Sequence, residues 1–269
     1  YDLGAVFALD TNYRDIMPIE DHEYIEDAPI GFWFKDKLYT GKDVYECLKQ
    51  MEDIDSNYIR SLYKSKTLDG TKLDKPLYDI LNTNMKAVFP GAMNQYNTDI
   101  QPFAWIRYNS SHFKHGNQEV TRFILKDARF QYQLNTMATK VSDKSEYVEV
   151  IISKNGYLDT LTARKVIVAT PATVAKKIIE QQHESSASFL NGIRYAGYYS
   201  IAIGVKAEDI NPKVSYLMPV NTGFASILQQ KTSDADFTIF QLYIAEEDMT
   251  KFPNDSTIKS MSIQTLKDI

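Results

Sequence analysis

Side-chain chemistry needs nucleophiles, bases or metal ligands at workable spacing, and this sequence offers few. His112 and His115 form an H-x-x-H pair that would put two imidazoles on one helix face, but Ser110 and Ser111 precede them and no third ligand is near; two histidines in a surface turn read the same way. His22 stands among Glu20, Asp21, Glu23, Glu26 and Asp27, a composition that suits a solvated loop rather than a cation site. The expectation is that no metal is bound. Cys47 has no cation at the spacing that would lower a thiol pKa, so it reads as a small core residue, and no G-x-S-x-G elbow presents a serine nucleophile. The eleven glycines nowhere form G-x-G-x-x-G, and Gly41-Lys42-Asp43 lacks the upstream glycine of a phosphate loop. The backbone cradle that holds a pyrophosphate at a helix N-terminus is therefore missing. No catalytic residue follows from these types and spacings.

One segment suggests a ligand through its lack of side chains. Lys165-Val166-Ile167-Val168-Ala169-Thr170-Pro171 describes a fully buried strand that turns sharply at its end, leaving Ala169 and Thr170 where a planar molecule or another backbone approaches. A buried strand of an ordinary α/β protein reads the same way.

The elements that must position these residues follow from periodicity. Tyr1 to Ala8, broken by Gly4, reads as a short buried strand. From Asp43 to Tyr63, Val44, Leu48, Met51, Tyr58, Ile59 and Leu62 form the stripe of one amphipathic helix. Asp74-Lys75-Pro76 starts another, carried by Leu77, Ile80, Leu81 and Met85 until Pro90-Gly91. Ile100 to Tyr108 is aromatic and β-leaning, and Gly116 opens a helix that ends near Lys126. Strands are expected at Phe130 to Leu134, Ala138 to Val141, Tyr147 to Ile152 and Lys165 to Ala169, with the tightest turn at Asn155-Gly156. Val174, Ile178 and Ile179 mark a helix, and Gln181 to Ser188 reads as a polar connection. Tyr198 to Val205, Ala225 to Leu228 and Phe237 to Ile244 read as strands, before a last helix through Ile258, Met261, Leu266 and Ile269. Mixed helices and antiparallel-looking strands make the expected class α+β, a largely antiparallel sheet flanked by helices.

Composition narrows the partners. Thirty basic against thirty-five acidic residues give a net charge of -5 with no Lys/Arg block to track a phosphate backbone, which argues against nucleic acid. No apolar run approaches the roughly 18 residues of a membrane span. One cysteine excludes an intrachain disulfide and fits a reducing compartment such as the cytoplasm, and equally any compartment where stability comes from size. Tyr1 and Ile269 read as interior positions of something longer.

Taken together, four segments in order resemble the flavin amine oxidase superfamily, which includes protoporphyrinogen oxidases, phytoene-type desaturases and related isomerases. Asp2-Leu3-Gly4-Ala5 is similar to its D-x-G-[GA] stretch, and His115-Gly116-Asn117-Gln118-Glu119 to its G-G-x-x-x-L helix start, with His115 in place of the first glycine. Leu134 to Val141 and the KVIVATP segment are similar to its second cofactor-contacting region. The resemblance implies FAD in the intact protein, contacted by Gly4, Ala5, Val6, Ala138, Ala169, Thr170 and Pro171, and absent from this piece because the pyrophosphate donors would precede Tyr1. It implies that residues 1–269 are mainly one substrate-binding domain. Strands in 1–10 and 130–171 would belong to the FAD domain, and these contacting segments would gather at one edge of the fold. Phe103 and Trp105 would line an apolar pocket for a small organic substrate, or else pack in the core. An exposed face where the FAD domain docks would favour self-association.

Amine oxidases of the superfamily usually carry a lysine in the strand after the A-x-P helix, holding a water near the flavin. Ser200, within Tyr198-Tyr199-Ser200-Ile201, occupies that place. Desaturase, dehydrogenase and isomerase activities are then implied as readily as amine oxidation, with a ligand-binding module lacking flavin as the competing reading.

Overall fold

The computed structural model describes residues 22–23, 29–64, 73–88, 112–113, 118–126, 129–179, 183–206, 208, 214, 216–231 and 236–269. The chain divides into two compact units, Tyr1–Lys126 with Ala196–Ile269, and Asp127–Tyr195.

The first unit is built on a six-stranded sheet. In chain order its strands are β2 (Ile30–Phe34), β3 (Lys37–Gly41), β8 (Tyr198–Lys206), β9 (Tyr216–Pro219), β10 (Ser226–Lys231) and β11 (Phe237–Ala245), arranged in space as β3-β2-β9-β10-β11-β8. The β2–β9 pair is parallel and the others are antiparallel. A separate two-residue pairing joins β1 (His22–Glu23) to β4 (His112–Phe113). The mixed, largely antiparallel architecture matches the class expected from the sequence.

Period-two alternation sends alternate strand residues to opposite faces, and each face has its own core. On one, Ile30, Phe32, Phe34, Tyr216, Met218 and Leu228 pack with helices α1 (Val44–Leu48), α2 (Ser56–Lys64) and α3 (Lys75–Val88) through Val44, Cys47, Leu48, Ile59, Leu77, Ile80, Leu81 and Met85. On the other, Leu217, Ile227, Leu242 and Ile244 pack with Phe224, Phe252 and the last helix, α7 (Asp255–Asp268), through Ile258, Met261 and Leu266. A 3-10 turn, Glu246–Lys251, connects β11 towards that helix.

The caps are written in the sequence. Asp43 Oδ1 accepts from Glu46 N at 2.9 Å, Asp74 Oδ1 from Leu77 N at 2.9 Å, and Asn254 Oδ1 from Thr257 N at 2.9 Å, each satisfying an orphan donor of a helix first turn. Between Asp43 and Tyr63 there are two helices rather than one. Residues 49–55 form turns that bury Met51 and Ile54, and Asp55 starts the second helix by accepting from Asn57 N at 2.8 Å. The apolar stripe continues through the break because those turns face the same core.

The second unit is a three-stranded antiparallel meander, β5 (Thr136–Asp143), β6 (Val148–Lys154) and β7 (Tyr157–Ala163). Asn155 and Gly156, with φ of 52° and 84°, make the two-residue turn between β6 and β7 that the sequence marks. Helix α5 (Ala172–Ile179) packs on β5 and on helix α6 (Glu184–Asn191) through a small core of Val141, Ile152, Ala172, Ala175, Ile178 and Ala187. Helix α4 (Gln118–Lys126) of the first unit lies where Gly116 was expected to open it.

Three expectations here are corrected. Phe130 to Leu134 is exposed and outside any strand, since polar Gln131 and Gln133 alternate with residues that find no partner ladder. Glu184 to Ser188, within the segment read as a polar connection, belong to α6, whose serines and alanine hold a helix once Ala187 packs on the unit's core. Lys165 to Ala169 joins no ladder and is far from fully buried, with Ile167 91% exposed. A strand covered on both faces needs neighbouring strands on both sides, and among the described residues this segment has none.

Candidate functional site

The helix-packed face of the six-stranded sheet changes character towards β8. Register places Leu228 and Gln230 of β10, Gln241 and Tyr243 of β11, and Ser200 and Ala202 of β8 on that face, with Tyr243 directly opposite Ser200 and Gln241 opposite Ala202. Gln241 is fully buried and Gln230 nearly so, an unusual setting for two primary amides in an otherwise apolar run. They satisfy each other. Gln230 Nε2 donates to Gln241 Oε1, and Gln241 Nε2 donates to Ser200 Oγ at 2.8 Å. The row thus starts inside the sheet and ends at an exposed hydroxyl, beside exposed Ala202 and Gly204.

The β8 end of this face is held by tyrosines. Tyr198 OH donates to the Lys86 carbonyl and Tyr216 OH donates to the Ala87 carbonyl at 2.7 Å, so side chains from two strands satisfy last-turn carbonyls of α3. Tyr198 and Tyr243 meet edge to face with ring centroids 5.6 Å apart. Lys86 Nζ then reaches Glu247 Oε1 at 2.6 Å and Asp248 Oδ2 at 2.7 Å, tying α3 to the 3-10 turn after β11, while Lys251 Nζ takes the other Asp248 oxygen at 2.7 Å. Burial pulls the Lys86 ammonium down, but the hydrogen bonds to Asp248 and Glu247 outweigh it and hold the pKa above its usual value. Burial likewise pushes Asp248 up, and the hydrogen bonds from Lys251 and Lys86 more than reverse this, leaving it below the usual carboxylate range. These charges neutralise one another and brace the sheet.

Cys47 is where the sequence placed it, fully buried in the core. Burial first, then the nearby charges of Asp43 and Glu46, push its thiol up to about 12, so it is no nucleophile. Among the described residues no group of three His, Cys, Asp or Glu side chains is arranged to hold a metal ion. No helix there is long and apolar enough to cross a membrane.

The second unit carries four of the residues assigned to cofactor contact. Ala138 lies on β5, an edge strand, next to a bulge between Ala138 and Lys140. An edge strand has a row of backbone groups turned away from its one neighbour, and a bulge re-aims the chain locally. Ala169 and Thr170 are exposed, and the Pro171 carbonyl accepts from both Val174 N and Ala175 N at 2.9 Å to begin α5. The next amide, Ala172 N, donates to Tyr195 OH at 2.8 Å. Because α5 packs on β5, the strand bearing Ala138 and the helix that Pro171 opens belong to one packed unit. Small, accessible residues with backbone on offer fit an edge of FAD, whereas none of the four brings a charge for its pyrophosphate. Gly4, Ala5, Val6, Phe103 and Trp105 lie outside the described residues.

The polar row escaped the sequence reading. The signal available was Gln241 within FTIFQLYIA, a single amide in a mostly apolar run. Only the registers of β10, β11 and β8 show that Gln241 is shared between Gln230 and Ser200.

With this geometry in hand, comparison with known proteins gives a likeness of fold. No protein-family model and no curated protein matches the chain. Among solved structures, cyclohexylamine oxidase from Brevibacterium oxydans IH-35A aligns over 99% of this chain and 69% of its own with a TM-score of 0.66 and 12% identity. A putrescine oxidase triple mutant redesigned in cofactor binding aligns over 100% of this chain and 70% of its own, with a TM-score of 0.69 and 12% identity. A CLA-producing fatty acid isomerase from P. acnes aligns over 100% and 71%, with a TM-score of 0.66 and 11% identity. The chain has the fold of these enzymes, in line with the resemblance carried by its motifs.

Proposed function

We propose that this chain is the central, substrate-binding part of an FAD-dependent oxidoreductase of amine oxidase, desaturase or isomerase type. The observation that supports this best is that solved oxidases and an isomerase cover 99–100% of the chain, so the likeness spans both compact units at once. Flavin, when bound, supplies the electron sink for a hydride from a small organic substrate. In this reading Asp127–Tyr195, the compact unit that contains 130–171, belongs with the FAD half. The unit Tyr1–Lys126 with Ala196–Ile269 supplies the substrate wall. Ala138, Ala169, Thr170 and Pro171, with Gly4, Ala5 and Val6, offer backbone to the cofactor, and Phe103 and Trp105 line the substrate side.

What the chain's own residues do is bind, orient and exclude water. The sheet face at β8 offers Ser200 where a lysine would assist oxygen chemistry, so no lysine amine exchanges a proton at that place. The reading predicts self-association through exposed apolar residues of the second unit such as Tyr157, Leu158 and Ile167.

The test is the visible spectrum of the full-length gene product after reconstitution with FAD. Bands of bound flavin support the reading; a blank spectrum from folded protein overturns it in favour of a ligand-binding module without a redox role.

A further inference from the structure

Of the residues assigned to cofactor contact, Ala169, Thr170 and Pro171 form a turn with little to hold it. From Lys165 to Thr170 the chain joins no ladder, and among the described residues none of these positions makes a hydrogen bond. Two ties remain, both where α5 begins. The Pro171 carbonyl accepts from Val174 N and Ala175 N at 2.9 Å, which is the helix's own first turn. The Ala172 N–H donates to Tyr195 OH at 2.8 Å, and this bond alone brings in a side chain from elsewhere, 23 residues along the chain.

The helix pair puts Tyr195 in that place. Helix α6 packs on α5, and its last residue, Asn191, accepts from Lys176 Nζ at 3.0 Å. Gly192 N and Ile193 N then donate to the carbonyls of Phe189 and Leu190, closing the end of α6. Tyr195, just beyond that end, meets Ala172, the first residue of α5. The Tyr195 ring is 58% exposed, so packing holds it weakly and the hydroxyl makes the tie. Ala172 is buried, and its N–H is one of the orphan donors of a helix first turn; without the phenol it would stay unpaired.

We propose that Tyr195 is a positioning residue of the cofactor site, whose hydroxyl, acting through the Ala172 N–H, fixes the turn Ala169–Pro171 in the geometry that meets FAD. This rests on the reading of that turn as a flavin contact. A ligand's apparent affinity falls with the fraction of molecules whose site is already in the binding geometry. Losing one hydrogen bond lowers such a fraction by about two- to tenfold where no other tie compensates.

The experiment titrates FAD into the flavin-free full-length gene product, by flavin fluorescence and by the visible spectrum, for the wild type, Tyr195→Phe and Asn191→Ala. Tyr195→Phe keeps the ring and should weaken FAD by about three- to tenfold, with the bound-flavin band shifted towards that of free flavin. Asn191→Ala breaks the other polar tie between α5 and α6 without touching the turn, and should leave FAD affinity within about twofold of the wild type. Ala172→Pro supplies the link through the N–H, since proline lacks that donor and suits a first helical turn. Adding Tyr195→Phe to Ala172→Pro should then change FAD affinity by less than about twofold. Should Ala172→Pro not fold, the contrast between Tyr195→Phe and Asn191→Ala decides alone. A wild type that binds flavin together with a Tyr195→Phe variant of equal affinity overturns this proposal and leaves the oxidoreductase reading standing, whatever the urea midpoint does, because the phenol then only caps a helix. Equal weakening by Asn191→Ala, or a full further loss on top of Ala172→Pro, overturns it as well. A folded wild type that takes up no flavin overturns both.

Discussion

Lys86→Met tests whether the first unit is braced as described. The substitution keeps the aliphatic stem of Lys86 and removes an ammonium that makes contacts of 2.6 Å to Glu247 and 2.7 Å to Asp248. An exposed ion pair contributes about 0–1 kcal/mol, and breaking a fully buried one costs about 3–5 kcal/mol. Side-chain exposures of 14%, 26% and 10% for Lys86, Glu247 and Asp248 put this cluster nearer the buried limit. Lys251 stays on Asp248 after the substitution and limits the damage. The expected loss is about 2 kcal/mol, read as a lower urea midpoint at unchanged slope, or as a fall in Tm of roughly 4–8 °C for a unit of this size. Combining it with Asp248→Asn should return a coupling energy of about 1–2 kcal/mol.

The pH dependence follows from the two signs. Asp248 is depressed in the folded state, so its contribution is present above the ordinary carboxylate value of 3.8 and is lost as pH falls through the lower folded value. Lys86 is raised, so its contribution is complete below 10.5 and is lost as pH rises through the higher folded value. The gap between wild type and Lys86→Met should therefore be flat through neutrality and close at both extremes. A loss under about 0.5 kcal/mol at pH 7, or strict additivity with Asp248→Asn, refutes the reasoning.

Other consequences are smaller and equally direct. Ser262 is fully buried on α7 with no partner for its hydroxyl among the described residues, so Ser262→Ala should raise stability by about 1 kcal/mol in urea melts, and a fall would show a hidden partner. Asp36 turns the β2–β3 hairpin at φ 56° with an exposed side chain; Asp36→Gly should gain about 0.5–1 kcal/mol, checked by the same melts. Cys47, with its thiol pushed up to about 12, should resist an aromatic disulfide reagent at pH 8 until urea unfolds the chain, and prompt native labelling would contradict its burial.

Much of the scaffold was legible because its signals are local. Asp43, Asp74 and the Asn155-Gly156 turn act within four residues of themselves, and the β-branched and aromatic residues of β8 and β11 mark strands by their own types. The β2–β3 hairpin was not legible, since its left-handed turn uses Lys35 and Asp36 rather than glycine or asparagine. Nor was β9, four residues buried on both faces, whose only signal is its neighbours. The KVIVATP segment shows the opposite failure, for its composition suits a buried strand while burial depends on strands beside it.

The candidate site divides along the same line. Composition and motif order by themselves determined the α+β class, the lack of a nucleophile or metal cluster in sequence spacing, and the small residues at Ala138 and Ala169 to Pro171. Those properties belong to residue types and to neighbours along the chain. The join of Gln230, Gln241 and Ser200 was decided only by tertiary structure. It needs three strands in register, and the same three residues one position out of step would face opposite sides of the sheet.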